Sequence, residues 1–205
     1  MENQSSKNME QHYDQLYSKN DSVFGGGKPD KVVQHILQFR KSGSVIEFGA
    51  GQGRNALFLA CNGFFVEATD LSPVAVGQIQ ALVEEDQLNI ETHLLDVIKM
   101  SLGRDYDVIV STFILHHLSS ESTDQFLQSI MSHTKKDGLN VISTFIKGGD
   151  ISESKSFLFD TGALRERYSH WNILDYFEEE RGMVARRPDG SPMKNMVASI
   201  IAEKP

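Results

Sequence analysis

Cysteine is nearly absent from this 205-residue chain, which contains only Cys61. A single cysteine excludes an internal disulfide framework and any multi-cysteine metal site, and no other metal site is predicted. We expect Cys61 to be a small hydrophobe on a buried helix face. No run of about eighteen apolar residues occurs, so no segment is predicted to span a membrane. Met1 to Gln11 is polar and lacks the apolar core of a signal peptide, which favours a cytoplasmic protein.

Basic charge is also scarce. Twenty lysines and arginines stand against 28 acidic residues, for a net charge of −8. Such a surface repels phosphate backbones, so we expect no nucleic acid partner and no membrane partner, but a small-molecule substrate. The length predicts one domain over residues 30–205, preceded by a flexible segment 1–29 whose first ten residues are disordered. We expect a monomer or weak homodimer.

Short apolar runs alternate with segments of helical periodicity along the chain. Strands are predicted at 45–48, 64–69, 90–95, 106–111, 139–145, 172–178 and 196–202. Helices are predicted at 12–17, from Asp30, and at 54–62, 73–87, 122–133 and 163–168. This order predicts an α/β, Rossmann-like sheet of seven mostly parallel strands, with an antiparallel last strand and helices on both faces. Residues 147–162 are expected to be looser and to cover a site.

The most informative stretch joins the first predicted strand to a helix and reads Glu47-Phe-Gly-Ala-Gly-Gln-Gly53. Glycine lets the backbone turn tightly and touch a ligand directly, and the following helix directs its free N–H groups to the same point. Seventeen residues after Gly53, a second apolar run ends in Asp70. Strand, glycine turn, helix, strand and acid together predict a nucleotide-binding unit in which Asp70 holds a ribose diol.

The spacing of the glycines decides which adenosine cofactor is expected. The dinucleotide pattern G-x-G-x-x-G fails from Gly49, because Arg54 stands at its third position, and is formally met from Gly51. We favour the register from Gly49, since the first glycine should follow the strand directly. Glu47 suits an ammonium group and would repel a pyrophosphate. Glu-x-G-x-G-x-G resembles the first motif of class I S-adenosylmethionine-dependent methyltransferases, and a nicotinamide oxidoreductase is the alternative.

The resemblance extends over nearly the whole chain. Its general landmarks are the glycine turn, Asp70-Leu-Ser72, Asp96 after the third strand and Tyr106-Asp-Val-Ile-Val-Ser111 as the fourth. A narrower resemblance is to the tellurite-resistance methyltransferases. It is carried by Gly51-Gln-Gly-Arg-Asn55, Leu57-Phe-Leu59, Leu164-Arg-Glu166, Tyr168, Trp171, Tyr176, Glu178-Glu179, Arg187, Asp189-Gly190 and Glu203-Lys204.

The resemblance implies a cofactor-binding set. In chain order it comprises Tyr17, Glu47, Gly49, Ala50, Gly51, Asp70, Leu71, Asp96, Val97, Ser111 and Phe113. The glycine turn would approach the methionine part of S-adenosylmethionine, and Glu47 would hold its amino group or the turn. Asp70 would accept the ribose hydroxyls, while Leu71, Asp96 and Val97 would contact adenine. Ser111 and Phe113 would line the sulfonium, and the N-terminal segment with Tyr13 and Tyr17 would close over the cofactor as a lid.

The acceptor is less well indicated. The implied catalytic residues are His117 and Arg187, and the substrate residues are His116, Arg165 and Arg187. The resemblance favours a tellurium or selenium oxyanion, whereas a histidine pair after the fourth strand is typical of methyltransferases for other small molecules. Arg186 and Asn195 also stand where the narrower family has a histidine and a basic residue. The alternatives are a small thiol, amine or phenol acceptor, and a module that binds S-adenosyl ligands without turnover.

Overall fold

The computed structural model describes residues 2–19, 27–151 and 157–205. The helices are α1 (Glu2–Lys19), α2 (Lys31–Phe39), α3 (Arg54–Cys61), α4 (Pro73–Asp86), α5 (Ser120–Ser132) and α6 (Ala163–Arg167). The strands are β1 (Gly43–Phe48), β2 (Phe64–Asp70), β3 (Ile90–Leu94), β4 (Tyr106–Thr112), β5 (Thr134–Ile146), β6 (Asn172–Arg186) and β7 (Pro192–Glu203). A short 3-10 helix, Leu115–His117, follows β4.

The seven strands form one sheet in the order β3-β2-β1-β4-β5-β7-β6. The strands from β3 to β5 pair in parallel, and β7 runs antiparallel to both of its neighbours. The predicted mostly parallel α/β sheet with an antiparallel last strand is therefore confirmed. The strand order reverses between β1 and β4, and the crevice at the carboxyl ends of such strands is where α/β sheets bind ligands.

Both faces of the sheet are covered by apolar side chains. Val45 and Ile46 belong to different clusters, since successive residues of a strand point to opposite faces. One cluster joins α2, α3 and α4 to the sheet through Val33, Ile36, Leu59, Val66 and Ile79. The other joins α5 and α6 to it through Phe48, Ile109, Phe126, Ile130 and Leu164. Burial on two faces explains the near-continuous apolar runs of the central strands.

Two helix starts are fixed by capping side chains at the ligand-binding edge. Asp30 accepts a hydrogen bond from the N–H of Val32 at 3.1 Å and begins α2. Ser72 accepts one from the N–H of Ala75 at 3.2 Å, with Pro73 in the first turn of α4. Such caps satisfy N–H groups that the helix itself leaves free.

The structure corrects three expectations. α1 begins at Glu2, so the prediction of disorder over the first ten residues is wrong there, although the first residues of the helix are all polar. Cys61 is exposed because it is the last residue of α3, beyond the buried face of Leu59. β6 and β7 extend to Arg186 and back to Pro192, because cross-strand pairing continues through polar residues.

The looser segment predicted over 147–162 is pinned to its surroundings wherever it is described. The N–H of Lys147 donates to the carbonyl of Phe159 at 2.9 Å, and the N–H of Asp150 to that of Lys194 at 2.8 Å. Residues 152–156, and residues 24–26 of the break expected before Asp30, lie outside the described residues. Within the described ranges, no helix is both long and apolar enough to cross a membrane.

Candidate functional site

The turn between β1 and α3 brings bare backbone to the carboxyl edge of the sheet. Gly49 and Gly51 have φ values of +69° and +54°, in the left-handed region that favours glycine. A Cβ at Gly49 would lie 2.3 Å from Cγ2 of Ile114, and one at Gly51 would lie 3.0 Å from the hydroxyl oxygen of Tyr17. The N–H of Ala50 donates to the carbonyl of Thr69 at 2.9 Å. The turn thus leaves no room for a side chain at either glycine, because Ile114 and Tyr17 already pack against its backbone.

Asp70, at the end of β2, is buried beneath this turn. Its carboxylate accepts hydrogen bonds from the N–H groups of Gly51 at 2.8 Å and Ser72 at 2.9 Å. Burial raises the pKa of Asp70, against the effect of these backbone hydrogen bonds. Each carboxylate oxygen can accept a further hydrogen bond, so the acid can hold both the turn and a ligand hydroxyl.

Glu47, near the end of β1, is fully buried beside the same turn. Its Oε1 accepts a hydrogen bond from Nδ2 of Asn55 at 2.7 Å, while Oε2 has no partner among the described residues. Burial raises the pKa of Glu47 to about 8, which the Asn55 hydrogen bond and the Arg54 charge only partly offset. An unpartnered buried acceptor at this position is suited to a cationic group of a ligand.

A pocket of about 260 Å³ opens beyond β2 and β3. It is lined by Ser6, Lys7, Glu10, Leu71, Leu94, Leu95, Asp96 and Lys99. Asp96 accepts hydrogen bonds from the N–H of Ile98 at 3.1 Å and from Nζ of Lys99 at 2.9 Å. Partial burial opposes ionisation, but these bonds hold the pKa of Asp96 below its usual value. The structure therefore brings Leu71 and Asp96 together, while Val97 packs against the neighbouring apolar cluster.

The end of β4 carries a strained turn. The hydroxyl of Ser111 is buried without a partner among the described residues. Phe113 has a φ of +59°, which non-glycine residues rarely adopt and which is concentrated at functional sites. Its N–H donates to the carbonyl of Ser143 at 2.8 Å, and its ring lies 4.9 Å from that of Phe145. Ser111 and Phe113 are thereby fixed beside the switch point of the sheet.

The histidine pair follows this turn and is partly buried. The rings of His116 and His117 are 3.9 Å apart. Burial lowers the pKa of His116 to about 3 and that of His117 to about 4, and neighbouring histidines lower both further. The hydroxyl of Tyr13 lies 2.8 Å from Nε2 of His117, whereas Nδ1 of His116 has no partner in the described part of the chain. Both imidazoles are neutral at pH 7.

Helix α1 lies across the glycine turn. Tyr17 is only 5% exposed, and its ring stacks on that of Tyr13 with 5.7 Å between centroids. The Ser72 hydroxyl donates to Asp14, and Nε2 of Gln78 donates to the carbonyl of Tyr17 at 3.2 Å. These contacts join α1 to α4 and place two aromatic rings over the site.

The two arginines expected to bind substrate are not brought together. Arg165 is exposed, with its guanidinium 5.7 Å from the ring centroid of Tyr176. Arg187 follows β6 and donates to both carboxylate oxygens of Asp150, from Nε at 3.2 Å and from Nη2 at 2.7 Å. Neither shows a contact with the histidine pair within the described residues.

Sequence reasoning missed a buried polar network behind the site. Asp30 was expected only to cap a helix, yet its backbone N–H donates to Asn55 at 2.8 Å, and its Oδ2 accepts from Nη1 of Arg181 at 2.8 Å. The Asn55 amide then reaches Glu47. Arg181 lies 151 residues after Asp30. No local motif links residues so far apart. Only a predicted β6 that continued beyond residue 178 would have placed Arg181 on the sheet.

A parallel sheet with a glycine turn after β1 and a buried acid at the end of β2 is typical of Rossmann-like folds that bind adenosine cofactors, among them the class I S-adenosylmethionine-dependent methyltransferases. The chain belongs to the family of tellurite resistance protein TehB, whose model matches residues 10–200. It is 30% identical over 162 residues to the probable S-adenosyl-L-methionine-dependent methyltransferase TehB of Haemophilus influenzae, covering 78% of this chain and 57% of that protein. It is also similar to hemagglutinin 1 of Eikenella corrodens, with 31% identity over 176 residues, 85% of this chain and 59% of that protein.

The solved structures agree with the family. The crystal structure of TehB from Haemophilus influenzae matches with a TM-score of 0.82 and 25% identity, over 94% of this chain and 67% of that chain. A Burkholderia thailandensis N-methyltransferase, solved with S-adenosylhomocysteine, shares the fold at a TM-score of 0.63 and 20% identity, over 84% of this chain and 76% of that chain. The chain spans less than three fifths of the length of the two curated relatives above.

Proposed function

We propose that this chain is an enzyme that transfers a methyl group from S-adenosylmethionine to a small-molecule acceptor. The observation that carries the proposal is the left-handed glycine turn at Gly49 and Gly51, next to two buried acceptor atoms without a partner among the described residues, Oε2 of Glu47 and Oγ of Ser111. A ligand with an ammonium group that lies directly on the backbone fits this arrangement. A pyrophosphate fits less well, because it offers no cationic group to Oε2 of Glu47.

Different residues of the site would contact different parts of the cofactor. Glu47 would hold the amino group, Asp70 the ribose hydroxyls, and Leu71 with Asp96 the adenine. Ser111 and Phe113 would border the sulfonium, and α1 would act as the lid through Tyr13 and Tyr17. S-adenosylmethionine, when bound, supplies a methyl group on a good leaving group. The protein therefore has chiefly to position and desolvate the acceptor.

The histidine pair would orient the acceptor. With pKa values of about 3 and about 4, His116 and His117 are weak bases at neutral pH. A neutral imidazole can still donate or accept one hydrogen bond at each nitrogen, so we assign the pair to holding the acceptor rather than to carrying its proton. Arg187 would contact the acceptor only after breaking its ion pair with Asp150. We therefore assign Arg187 and Arg165 to attracting an anionic acceptor.

Two acceptor classes are supported by different observations. A tellurium or selenium oxyanion is supported by membership of the tellurite resistance family. A small thiol, amine or phenol is supported by the neutral histidine pair and by similarity to the ubiquinone biosynthesis O-methyltransferase of Rickettsia canadensis. That similarity is 26% identity over 115 residues, 56% of this chain and 48% of that protein. A cytoplasmic location and a monomeric or weakly dimeric state remain predictions.

A calorimetric titration with S-adenosylhomocysteine, run beside NADH, tests the cofactor. We expect one-to-one binding of S-adenosylhomocysteine and no heat from NADH. Binding of NADH instead would overturn the proposal and favour the register from Gly51. Formation of S-adenosylhomocysteine from S-adenosylmethionine is then measured with selenite, tellurite, a thiol, an amine and a phenol. If no acceptor yields product, the chain is a module that binds S-adenosyl ligands without turnover.

A further inference from the structure

Strands β6 and β7, away from the glycine turn, carry two hydrogen-bond donors without a partner among the described residues. Arg181 on β6 and Asn195 on β7 are direct cross-strand partners. Nη2 of Arg181 and Nδ2 of Asn195 are both buried, and neither has a hydrogen-bond partner among the described residues. Buried donors without partners are rare in native proteins and call for an explanation, of which an absent ligand is one. Two such donors on neighbouring residues of one sheet point to a single ligand.

The orientation of both side chains is fixed by their other contacts. Arg181 donates from Nη1 to Asp30 at 2.8 Å and from Nε to Glu179 at 2.8 Å. Oδ1 of Asn195 accepts from the N–H of Ile151 at 2.7 Å, which identifies the opposite end of the amide as the donor. Asn195 is only 1% exposed. The two free nitrogens, Nη2 of Arg181 and Nδ2 of Asn195, are therefore held in place before any ligand arrives.

This pair of donors borders the predicted methyl-transfer position. The guanidinium carbon of Arg181 lies 5.8 Å from the ring centroid of Phe113, the residue expected to line the sulfonium. Asp30, which holds Arg181, is joined through Asn55 to Glu47 beside the glycine turn. An acceptor bound at Arg181 and Asn195 would thus lie next to the aromatic wall of the cofactor site.

The local charge favours an anion. Arg54 and Arg181 both approach Asp30, at 3.8 Å and 2.8 Å, and Lys31 pairs with Glu179 at 3.3 Å. Three basic side chains against two carboxylates leave one excess positive charge in this partly exposed cluster, and an anionic ligand would neutralise it.

We propose that Arg181 and Asn195 form an oxyanion subsite that binds two oxygens of the methyl acceptor, each donor contacting one oxygen. The inference rests on the proposed methyl transfer and specifies its acceptor as an oxyanion, either a chalcogen oxyanion or a carboxylate. Two donors on paired residues can each contact one oxygen of the same centre, as the two donors of an arginine do in arginine–carboxylate pairs. An amine or thiol acceptor would leave both donors without partners.

Calorimetry on the full chain loaded with S-adenosylhomocysteine tests the subsite with three probes: selenite, tellurite and benzoate. Arg181→Lys keeps the positive charge beside Asp30 and removes Nη2. Asn195→Asp keeps an oxygen for the N–H of Ile151 and replaces the donor with an acceptor. The control is Arg167→Lys on α6, since Arg167 is exposed and pairs with Asp124. We expect at least one probe to bind the wild type and the control, and to bind at least tenfold more weakly to the other two variants.

Comparison of selenite and tellurite with benzoate distinguishes a chalcogen oxyanion from a carboxylate. Equal affinity in all variants, or no binding of any probe to the loaded wild type, would overturn the subsite. So would weaker probe binding that accompanies a lowered melting temperature and weaker S-adenosylhomocysteine binding, because that result indicates a structural role. If S-adenosylhomocysteine does not bind the wild type, the proposed function fails, and titration of the same proteins with the probes alone decides the subsite separately.

Discussion

Two carboxyl groups at adjacent strand ends are both buried but differ in their hydrogen bonds. Asp70 accepts two backbone N–H groups, which only partly offset the rise in its pKa caused by burial. Glu47 accepts one side-chain amide at Oε1, and burial raises its pKa to about 8. The neutral form of Glu47 is consequently the form present at neutral pH in the ligand-free protein. A cationic group of a bound ligand would favour the ionised form of Glu47.

Binding of S-adenosylhomocysteine should release a proton from Glu47. The ammonium group of the ligand favours the carboxylate, so affinity should rise as the pH increases from about 6 to 8. Calorimetry in phosphate and in Tris, which differ in heat of ionisation, measures the release as a buffer-dependent enthalpy. Glu47→Gln should bind more weakly and show no buffer dependence. An equal enthalpy in both buffers for the wild type would contradict this role.

Asp70→Asn should weaken S-adenosylhomocysteine binding by about 1–3 kcal/mol, because a charged acceptor to the ribose is lost. Asp107→Asn is a matched control, since Asp107 also accepts from a backbone N–H, that of Ser44 at 2.8 Å, but lies beside the first residues of β1. The control should lose stability without losing affinity. Dissociation constants and melting temperatures of both variants decide the point, and an unchanged affinity for Asp70→Asn would remove the ribose role.

At the scale of elements, α1 and the glycine turn share one contact surface. Because a Cβ at Gly51 would lie 3.0 Å from the Tyr17 hydroxyl, Gly51→Ala should displace α1 as well as strain the turn. We expect S-adenosylhomocysteine affinity to fall at least tenfold, and Tyr17→Phe to restore part of it in the double variant. A double-mutant cycle measures the coupling. Strictly additive effects would mean that α1 does not close on the turn.

The elements differ in how far their sequences reveal them. The glycine turn, Asp70 and the central strands were predictable, because a turn motif and buried apolar runs are local signals. The start of α1 was not, since its first residues, Glu2 to Lys7, are all polar and carry no local helix signal. The network of Asp30, Asn55 and Arg181 was not predictable either, because strand pairing brings together residues that are distant in sequence.

At the scale of the whole molecule, buried ionisable groups set the pH dependence of stability. His116 and His117 bind protons below about 6.5 when unfolded but only below about 3 and about 4 when folded. The unfolded state therefore holds more protons as the pH falls from 6.5, and each histidine removes about 1.4 kcal/mol of stability per pH unit. Glu47, with a pKa raised from 4.5 to about 8, removes stability as the pH rises between those values.

As the pH falls below 6.5, the stability lost through the two histidines exceeds the stability gained through Glu47. Above pH 6.5 only Glu47 changes the stability, so stability should be greatest near pH 6.5. Asp70, whose pKa is also raised, acts in the same direction as Glu47 and makes the acid limb of the profile shallower. Urea unfolding from pH 5 to 8.5 measures the profile. The variant His116→Phe with His117→Gln keeps the aromatic contact to Phe145 and an acceptor for Tyr13. Its stability should fall steadily with rising pH; if it also rises from pH 5 to 6.5, other groups control the acid limb.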